Sequence, residues 1–370
     1  MAPGPAGRPA RPGARSGAAA HRAGRGPGRA APPAGGVRAV TADQPDRRGA
    51  GPATERRGPA PPGAAWARTT VVVITRDRRD QLLRTLERLA ALPGRPPVVV
   101  VDNASSDGTA EAVAARYPEV LLVSPGRNLG AVGRTLGVRH ARTPYVAFSD
   151  DDSWWQPGAL AAAERLLDDH PRLGLVAASV RVGEDGRRED PLNAELASSP
   201  LGREPGLPGT RVLGFLACAA VARREAYLEA GGYHPVVFFA GEEQLLAYDL
   251  EACGWAVCHC PEVVAVHGPV GGVRGGRRAV MRRNAVLTAW LRRPVGVALR
   301  RTGRLAADAA RRGAEAREAR EAREALRGVL ERLPAALRAR RRLPAHVEEA
   351  ARRVEGGDRG GCRPPEAGVG

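Results

Sequence analysis

The sequence contains no lysine, so all 57 of its basic residues are arginines. Aromatic residues are also scarce, at 4% of the 370 residues, whereas Ala, Gly and Pro are abundant. This composition is typical of a GC-rich genome, and the net charge of +17 therefore does not by itself indicate a nucleic-acid-binding protein. We expect no specific nucleic-acid partner.

Long apolar runs are missing as well. The run 213–222 is among the longest and is far too short to span a bilayer. The N-terminus lacks the apolar core of a secretory signal, and five cysteines in a chain of this length do not make a disulfide framework. These absences favour a protein of the reducing cytoplasm.

Composition divides the chain into segments. Residues 1–67 are rich in Pro, Gly, Ala and Arg, so we expect a disordered tail, with a basic arm as the alternative. Residues 296–355 predict an Arg- and Ala-rich helical extension, and 356–370 predict a second disordered tail. The near-repeat at 315–323 buries little, so we expect a solvated or loosely docked helix. The alternative is a basic amphipathic helix that lies against the inner face of an anionic membrane.

Short apolar runs alternate with helical patterns between residues 69 and 150. The predicted strands lie at 70–75, 98–101, 120–123 and 145–148. This alternation predicts an α/β fold with a mostly parallel central sheet flanked by helices. Further strands are expected at 173–182, 213–221, 255–260 and 263–267, with a long polar loop at 183–209.

Three consecutive carboxylates, Asp150, Asp151 and Asp152, follow the fourth strand. Unpaired like charges this close are costly to bury, and a divalent cation removes that cost. Oxygen ligands at a strand end suit Mg²⁺ or Mn²⁺, which can also carry a diphosphate. The alternative is an acidic loop that caps the helix beginning near Pro157.

Several motifs together resemble the bacterial, non-processive family 2 glycosyltransferases. The resemblance covers roughly residues 69–295. The motifs that carry it lie at 71–78, 101–109, 128–130 with Gly133 and Arg134, 150–152, 231–233 and 241–255. We find neither the Gln-x-x-Arg-Trp motif nor the membrane helices of the family's processive synthases.

The resemblance implies a catalytic domain at 68–295 with an A-type nucleotide-sugar-binding fold. Its nucleotide-binding half would span 68–155 and its acceptor half 156–295. The implied activity is an inverting, metal-dependent transfer of a sugar from a UDP-, dTDP- or GDP-sugar to an acceptor hydroxyl. That acceptor would be a cell-surface glycan, a lipid-linked intermediate or a secondary metabolite.

The resemblance also implies residue roles. Thr75, Arg76, Asp102 and Asn103 would line the base and ribose pocket, and Arg134 would reach the diphosphate. Asp150 and Asp151 would contact the nucleotide. The metal ligands would be Asp152, Asp150 and His267, although His267 is equally well explained as a plain loop residue.

A zinc site at 258–260 is a weaker alternative, because no second ligand pair accompanies it.

Glu242 and Glu243 match the acidic pair that supplies the family's general base. Inversion requires a carboxylate that takes the proton of the attacking hydroxyl. Glu243 is the first choice and Glu242 the second; otherwise both are helix N-terminal acids favoured by the helix dipole. Two other functions stay open: a sugar-phosphate nucleotidyltransferase, and an inactive relative that acts as a basic interaction protein.

Overall fold

The computed structural model describes residues 68–269, 276–311 and 316–357. The predicted N-terminal tail and nearly all of the predicted C-terminal tail lie outside the described residues. The strands are β1 Thr69–Thr75, β2 Val98–Asp102, β3 Leu121–Val123, β4 Tyr145–Asp150, β5 Ser153–Trp155, β6 Leu173–Val182, β7 Arg188–Glu189, β8 Thr210–Arg211, β9 Ala220–Arg223 and β10 Ala256–His267. The helices are α1 Arg79–Ala90, α2 Thr109–Arg116, α3 Val132–His140, α4 Ala159–Asp169, α5 Leu192–Ala197, α6 Arg224–Glu229, α7 Glu242–Ala252, α8 Arg277–Arg292, α9 Val295–Ala310, α10 Ala316–Arg338 and α11 Ala345–Gly357.

The strands form one mixed sheet in the order β3-β2-β1-β4-β9-β6-β10-β5, with β7 added beside β6 and β8 beside β10. The predicted parallel arrangement holds for β1, β2, β3 and β4, and also for β6 with β10. Strand β9 runs antiparallel to both of its neighbours. The predicted fold class, a central sheet flanked by helices, is confirmed.

Burial on both faces explains why β1 is a nearly continuous run of valines. Val71 and Val73 belong to one core cluster, together with Leu82 of α1. Val72 and Ile74 belong to a second cluster, together with Val138 of α3. Since side chains alternate along a strand, consecutive apolar residues are needed when helices cover both faces of the sheet.

Three expectations for the second half of the chain are corrected. The strand expected at 213–221 begins only at Ala220, because residues 217–219 form a 3₁₀ turn. The loop expected at 183–209 contains β7 and α5. The two short strands expected at 255–267 are the single strand β10, whose register shifts between Cys260 and Val264. Pro261 lies at this irregularity, since it has no N–H for a ladder bond.

The C-terminal extension is helical, as predicted, but α10 buries more than its composition indicated. Ala319, Ala322, Ala325 and Val329 are all buried, in a spacing of three and four residues. This stripe packs close to α8, where small residues allow a near approach: a Cβ on Gly328 would lie 2.6 Å from Arg283. No helix among the described residues is long and apolar enough to cross a membrane.

Two buried arginines at the end of α8 connect α7 and α11. Arg292 pairs with both oxygens of Asp249, through Nε at 2.5 Å and Nη2 at 2.9 Å. The next residue, Arg293, pairs with Glu348 and Glu355 of α11. Because both arginines are almost completely buried, the position of α7 depends on the charge that Arg292 carries at the end of α8.

We expect Arg292→Ala to destabilise the protein by about 3–5 kcal/mol, since it leaves Asp249 as an unpaired buried charge. Denaturant unfolding followed by circular dichroism measures the change. The control is Arg317→Ala, which removes an exposed ion pair with Glu321 on α10 and should cost less than about 1 kcal/mol. Equal midpoints for the two variants would contradict this account.

Candidate active site

The carboxyl ends of β1, β2 and β4 meet at one edge of the sheet. Thr75 pairs with Asp102, and Ile74 pairs with Asp150 in the parallel register. Residues predicted separately from three strand ends are therefore neighbours in space. Such an edge is where ligands bind in open α/β sheets.

Asp150, Asp151 and Asp152 form a tight turn between β4 and β5, which we call the acid turn. The backbone N–H of Asp150 donates to Ser153 Oγ at 2.8 Å. Thr85 of α1 donates its hydroxyl to the carbonyl oxygen of Asp151 at 2.8 Å. Asp151 and Asp152 are buried, and Asp150 is partly exposed.

Arg78 is the cation that the acid turn contacts on the β1 side. Its guanidinium lies 3.0 Å from Asp151 Oδ1 and 3.0 Å from Asp152 Oδ2. Sequence reasoning gave Arg78 no role of its own; Arg76, expected at the base and ribose pocket, is exposed, and its Nε lies 3.4 Å from Asp77 Oδ2. Both arginines follow β1, and the sequence carries no signal that distinguishes which of them turns toward the acids.

The surroundings of Asp151 and Asp152 shift the pKa values of these two carboxyl groups in opposite directions. Burial raises the pKa of Asp151 to about 7, with the neighbouring Asp150 and Asp152 adding to the rise against Arg78 and Thr75. Burial also favours the neutral form of Asp152, but His267 and Arg78 outweigh it and lower the pKa of that carboxyl. In turn, Asp152 raises the pKa of His267 despite the burial of the ring.

His267 is the last residue of β10 and not part of a loop. Its pairing with Ser153 in the β5–β10 ladder brings Nε2 to 3.4 Å from Asp152 Oδ1. The N–H of Gly268 donates to the carbonyl oxygen of Asp152 at 2.8 Å, which closes this corner.

The donor set at this corner fits the chemistry of Mg²⁺ or Mn²⁺. Asp150 and Asp152 offer carboxylate oxygens, and His267 offers an imidazole nitrogen that Mn²⁺ accepts. As the side chains stand, no group of three His, Cys, Asp or Glu residues closes around a metal position within the described ranges. That holds for 258–260 too, where His259 Nδ1 lies 3.0 Å from the Ala177 carbonyl oxygen.

The remaining residues predicted to bind the nucleotide lie beside the acid turn. Thr75 donates its hydroxyl to Asp151 Oδ2 at 3.1 Å. Asp102 is buried and accepts a bond from the Ser105 N–H at 2.9 Å. The Asn103 amide bonds to Leu129 and Gly130 and so holds the loop that precedes α3.

Arg134 of α3 connects the acid turn to the glutamate pair. Its side chain is 1% exposed, pairs with Asp150, and lies 3.7 Å from Glu242 Oε1. The guanidinium also sits 5.6 Å from the ring of Tyr233, a contact that sequence reasoning missed. Arg134 is thus held between two sets of carboxylates that the chain carries about a hundred residues apart.

Glu242 and Glu243 occupy the first turn of α7. Burial raises the pKa of Glu242 to about 8, and the neighbouring Glu243 contributes to this rise. Burial also raises the pKa of Glu243, against the opposing effects of Arg134 and backbone N–H groups. As whole residues, Glu242 is buried and Glu243 is partly buried.

A strained segment leads into this pair. Phe238 and Ala240 have positive φ angles of 67° and 68°, which non-glycine residues rarely adopt. Asn284 of α8 holds the segment: its fully buried amide donates to the carbonyl oxygens of Phe239 at 2.8 Å and Ala240 at 2.6 Å. Sequence reasoning missed this residue, because nothing in the local pattern of α8 indicates what its side chain contacts.

The other side of the segment packs on the loop before α3. The Ala131 N–H donates to the Phe238 carbonyl oxygen at 2.7 Å. Gly130 allows this approach, since a Cβ there would lie 2.4 Å from the same oxygen. The glutamate pair is therefore positioned from both the sheet and the C-terminal helices.

Known proteins resemble this chain in sequence. Residues 70–231 match the profile of Glycosyl transferase family 2. The chain is 29% identical over 229 residues to the N-acetylglucosaminyl-diphospho-decaprenol L-rhamnosyltransferase of Mycobacterium tuberculosis strain H37Rv. That alignment covers 53% of this chain and 75% of the relative.

Two solved structures are also similar to it. The mannosyltransferase PcManGT from Pyrobaculum calidifontis, in complex with GDP-Man and Mn²⁺, is 22% identical, with 82% of this chain and 83% of that chain covered and a TM-score of 0.48. TarS residues 1–349 from S. aureus, in complex with UDP-GlcNAc, is 16% identical, with 72% of each chain covered and a TM-score of 0.48. The profile match and the rhamnosyltransferase relative agree with the motifs, and residues 70–231 are a family 2 glycosyltransferase domain.

Proposed function

We propose that this glycosyltransferase is an inverting, metal-dependent enzyme that transfers a sugar from a nucleotide-diphosphate sugar to a hydroxyl of a lipid-linked saccharide. The observation that carries the proposal is the link through Arg134. It joins the acid turn, suited to a metal and a diphosphate, to the glutamate pair, suited to proton removal.

The donor would lie along the carboxyl ends of β1, β2 and β4. Asp102 would accept hydrogen bonds from the base, and Thr75 and Arg76 would border the ribose. Asp150, Asp152 and His267 would hold a divalent metal, which supplies positive charge opposite the leaving nucleoside diphosphate. Asp151 would orient the acid turn through Arg78 and Thr75, which it contacts in the structure.

The general base would be Glu243. Glu243 is partly buried as a residue and follows Glu242, which is buried and turned toward Arg134. Glu242 would then position Arg134, and Glu243 would take the proton of the attacking hydroxyl. The arginine stays charged throughout, so it offsets the negative charge that collects on both sides of the reaction centre.

The acceptor proposal rests on the mycobacterial relative, whose name gives N-acetylglucosaminyl-diphospho-decaprenol as its substrate and L-rhamnose as its sugar. The alignment covers 75% of the length of that protein. We infer a polyprenyl-diphosphate saccharide as acceptor and a deoxyhexose such as L-rhamnose as the transferred sugar.

The first test is calorimetric titration of UDP, dTDP and GDP into the full-length protein, with Mn²⁺ or with EDTA. We expect one nucleotide diphosphate to bind, and EDTA or Asp152→Asn to weaken binding more than about a hundredfold, since the metal contributes several kcal/mol. Asp169→Asn, at the exposed end of α4, is the control with the same charge change. Equal binding with and without Mn²⁺ would exclude a metal-dependent donor site.

The second test addresses the base. Glu243→Gln should lower kcat by roughly 10²- to 10⁴-fold without weakening nucleotide binding. A base acts only when deprotonated, so a raised pKa moves the rising limb of the pH profile of kcat/KM upward. We expect this limb above the ordinary glutamate value of 4.5, because burial raises the pKa of Glu243. The control is Glu225→Gln, at an exposed position of α6. A rate that does not change with pH from about pH 4 upward, near the free glutamate value, would contradict the assignment of Glu243.

The third test concerns Asn284 as a positioning residue. Asn284→Ala removes both bonds to the strained segment, so the glutamate pair should shift and kcat should fall about 10- to 100-fold. The KM for the donor should not change, because the donor contacts lie on other elements. Asn193→Ala is matched, since its amide also bonds backbone groups, those of Val180. If both variants keep wild-type kcat per folded molecule, Asn284 has only a structural role.

A further inference from the structure

Exposed large hydrophobic side chains are concentrated in the C-terminal helices. Among the described residues six such side chains are exposed, and five of them lie on α8, α9 and α10. The exposed fractions are 48% for Met281, 50% for Val295, 56% for Leu299, 60% for Leu330 and 47% for Leu337. The sixth is Phe239, in the segment before the glutamate pair.

Four of these residues gather at one end of the helical bundle. The C-terminal end of α10 is tied to that of α8: the Arg341 N–H donates to the Leu291 carbonyl oxygen at 2.9 Å, and Arg340 Nη2 donates to the Arg293 carbonyl oxygen at 2.5 Å. Helix α9 starts from the same place, directly after Pro294. The start of α9 and the last turns of α10 therefore lie together.

Helical spacing places these side chains on the outer sides of α9 and α10. Val295 and Leu299 are four residues apart, and Leu330 and Leu337 are seven apart, so the members of each pair share a side of their helix. Other sides of the two helices are buried in the bundle, through Val297 and Leu305 of α9 and through Val329 and Ala336 of α10.

Arginines are frequent around this end, although the buried Arg292 and Arg293 are paired with acids of α7 and α11. Between 276 and 311 the sequence has ten arginines and a single acidic residue, Asp308. Exposed arginines border the four apolar residues: Arg300, Arg304, Arg338, Arg341 and Arg342. The first turns of α10, where the sequence pattern indicated a membrane-facing helix, instead alternate Arg and Glu, so their charges largely cancel.

We propose that this end of the bundle, formed by Val295, Leu299, Leu330, Leu337 and the bordering arginines, docks on an anionic lipid bilayer. Apolar side chains between arginines match the boundary between acyl chains and acidic headgroups. The proposal deepens the proposed function, since a lipid-linked acceptor requires the enzyme to work beside a membrane.

The position of the surface suits such an acceptor. Within α8, Asn284 holds the segment before the glutamate pair, and Leu291 lies seven residues later at the apolar end. Those seven residues span about 10 Å along the helix axis. An acceptor headgroup that stands above a bilayer would thus reach the glutamate pair without leaving its lipid.

The test is co-sedimentation of the full-length protein with vesicles of equimolar phosphatidylcholine and phosphatidylglycerol, and with vesicles of phosphatidylcholine alone. We expect binding to the anionic vesicles, weakened at least about tenfold by the double variant Leu299→Asp/Leu337→Asp. Met281→Asp is the control, because it places one of these two added charges at a similarly exposed position near the other end of α8. That control should bind as the wild type does.

Three outcomes would overturn the proposal. One is no binding of the wild type to anionic vesicles, and another is undiminished binding of the double variant. The third is a dimer, seen by analytical ultracentrifugation, that the double variant abolishes, since the surface would then belong to a second copy of the chain. No donor or acceptor is present in these experiments, so their failure is separate from a failure of the transferase assignment.

Discussion

The structure depends on how one edge of the sheet accommodates five carboxyl groups. Asp150, Asp151 and Asp152 leave β4 together, and Glu242 and Glu243 begin α7 beside them. Two guanidinium groups make this arrangement tolerable, Arg78 on the β1 side and Arg134 between the two acidic groups. Arg78 contacts two consecutive acids of the turn, whereas Arg134 bridges acids from different parts of the chain.

The C-terminal helices are part of this arrangement and not an appendage. Arg292 fixes α7 through Asp249, and Asn284 holds the strained segment from which α7 starts. A segment with two left-handed non-glycine residues persists only when its surroundings determine it closely. Helix α8 therefore supplies part of the free energy that keeps the glutamates in place.

Many of the strands and several of the site residues could be predicted, because the sequence of each of these segments indicates its structure without distant contacts. A strand buried on both faces has to be apolar throughout, so β1, β2 and β4 were found from their runs of valine and other apolar residues. Parallel strand ends share an edge, which brought Asp102 and Asp150 together before any coordinates. The acids of α7 followed from the family motif and the helix that begins there.

What could not be predicted depends on contacts between distant residues. Whether Arg76 or Arg78 meets the acids is decided by the turn after β1, and Asn284 acts on a segment more than 40 residues earlier. The antiparallel β9 has too few residues to show a period. The alanine stripe of α10 looked too small to be buried, yet small side chains are what a close helix contact requires.

The absence of lysine has a consequence for how this edge responds to its surroundings. A buried lysine can lose its proton as the local environment changes, but a guanidinium keeps its charge at any pH that the fold survives. The positive charge contributed by Arg78 and Arg134 is therefore constant. Any titration of the site is carried by its carboxyl groups and by His267, against a background of cations that do not switch.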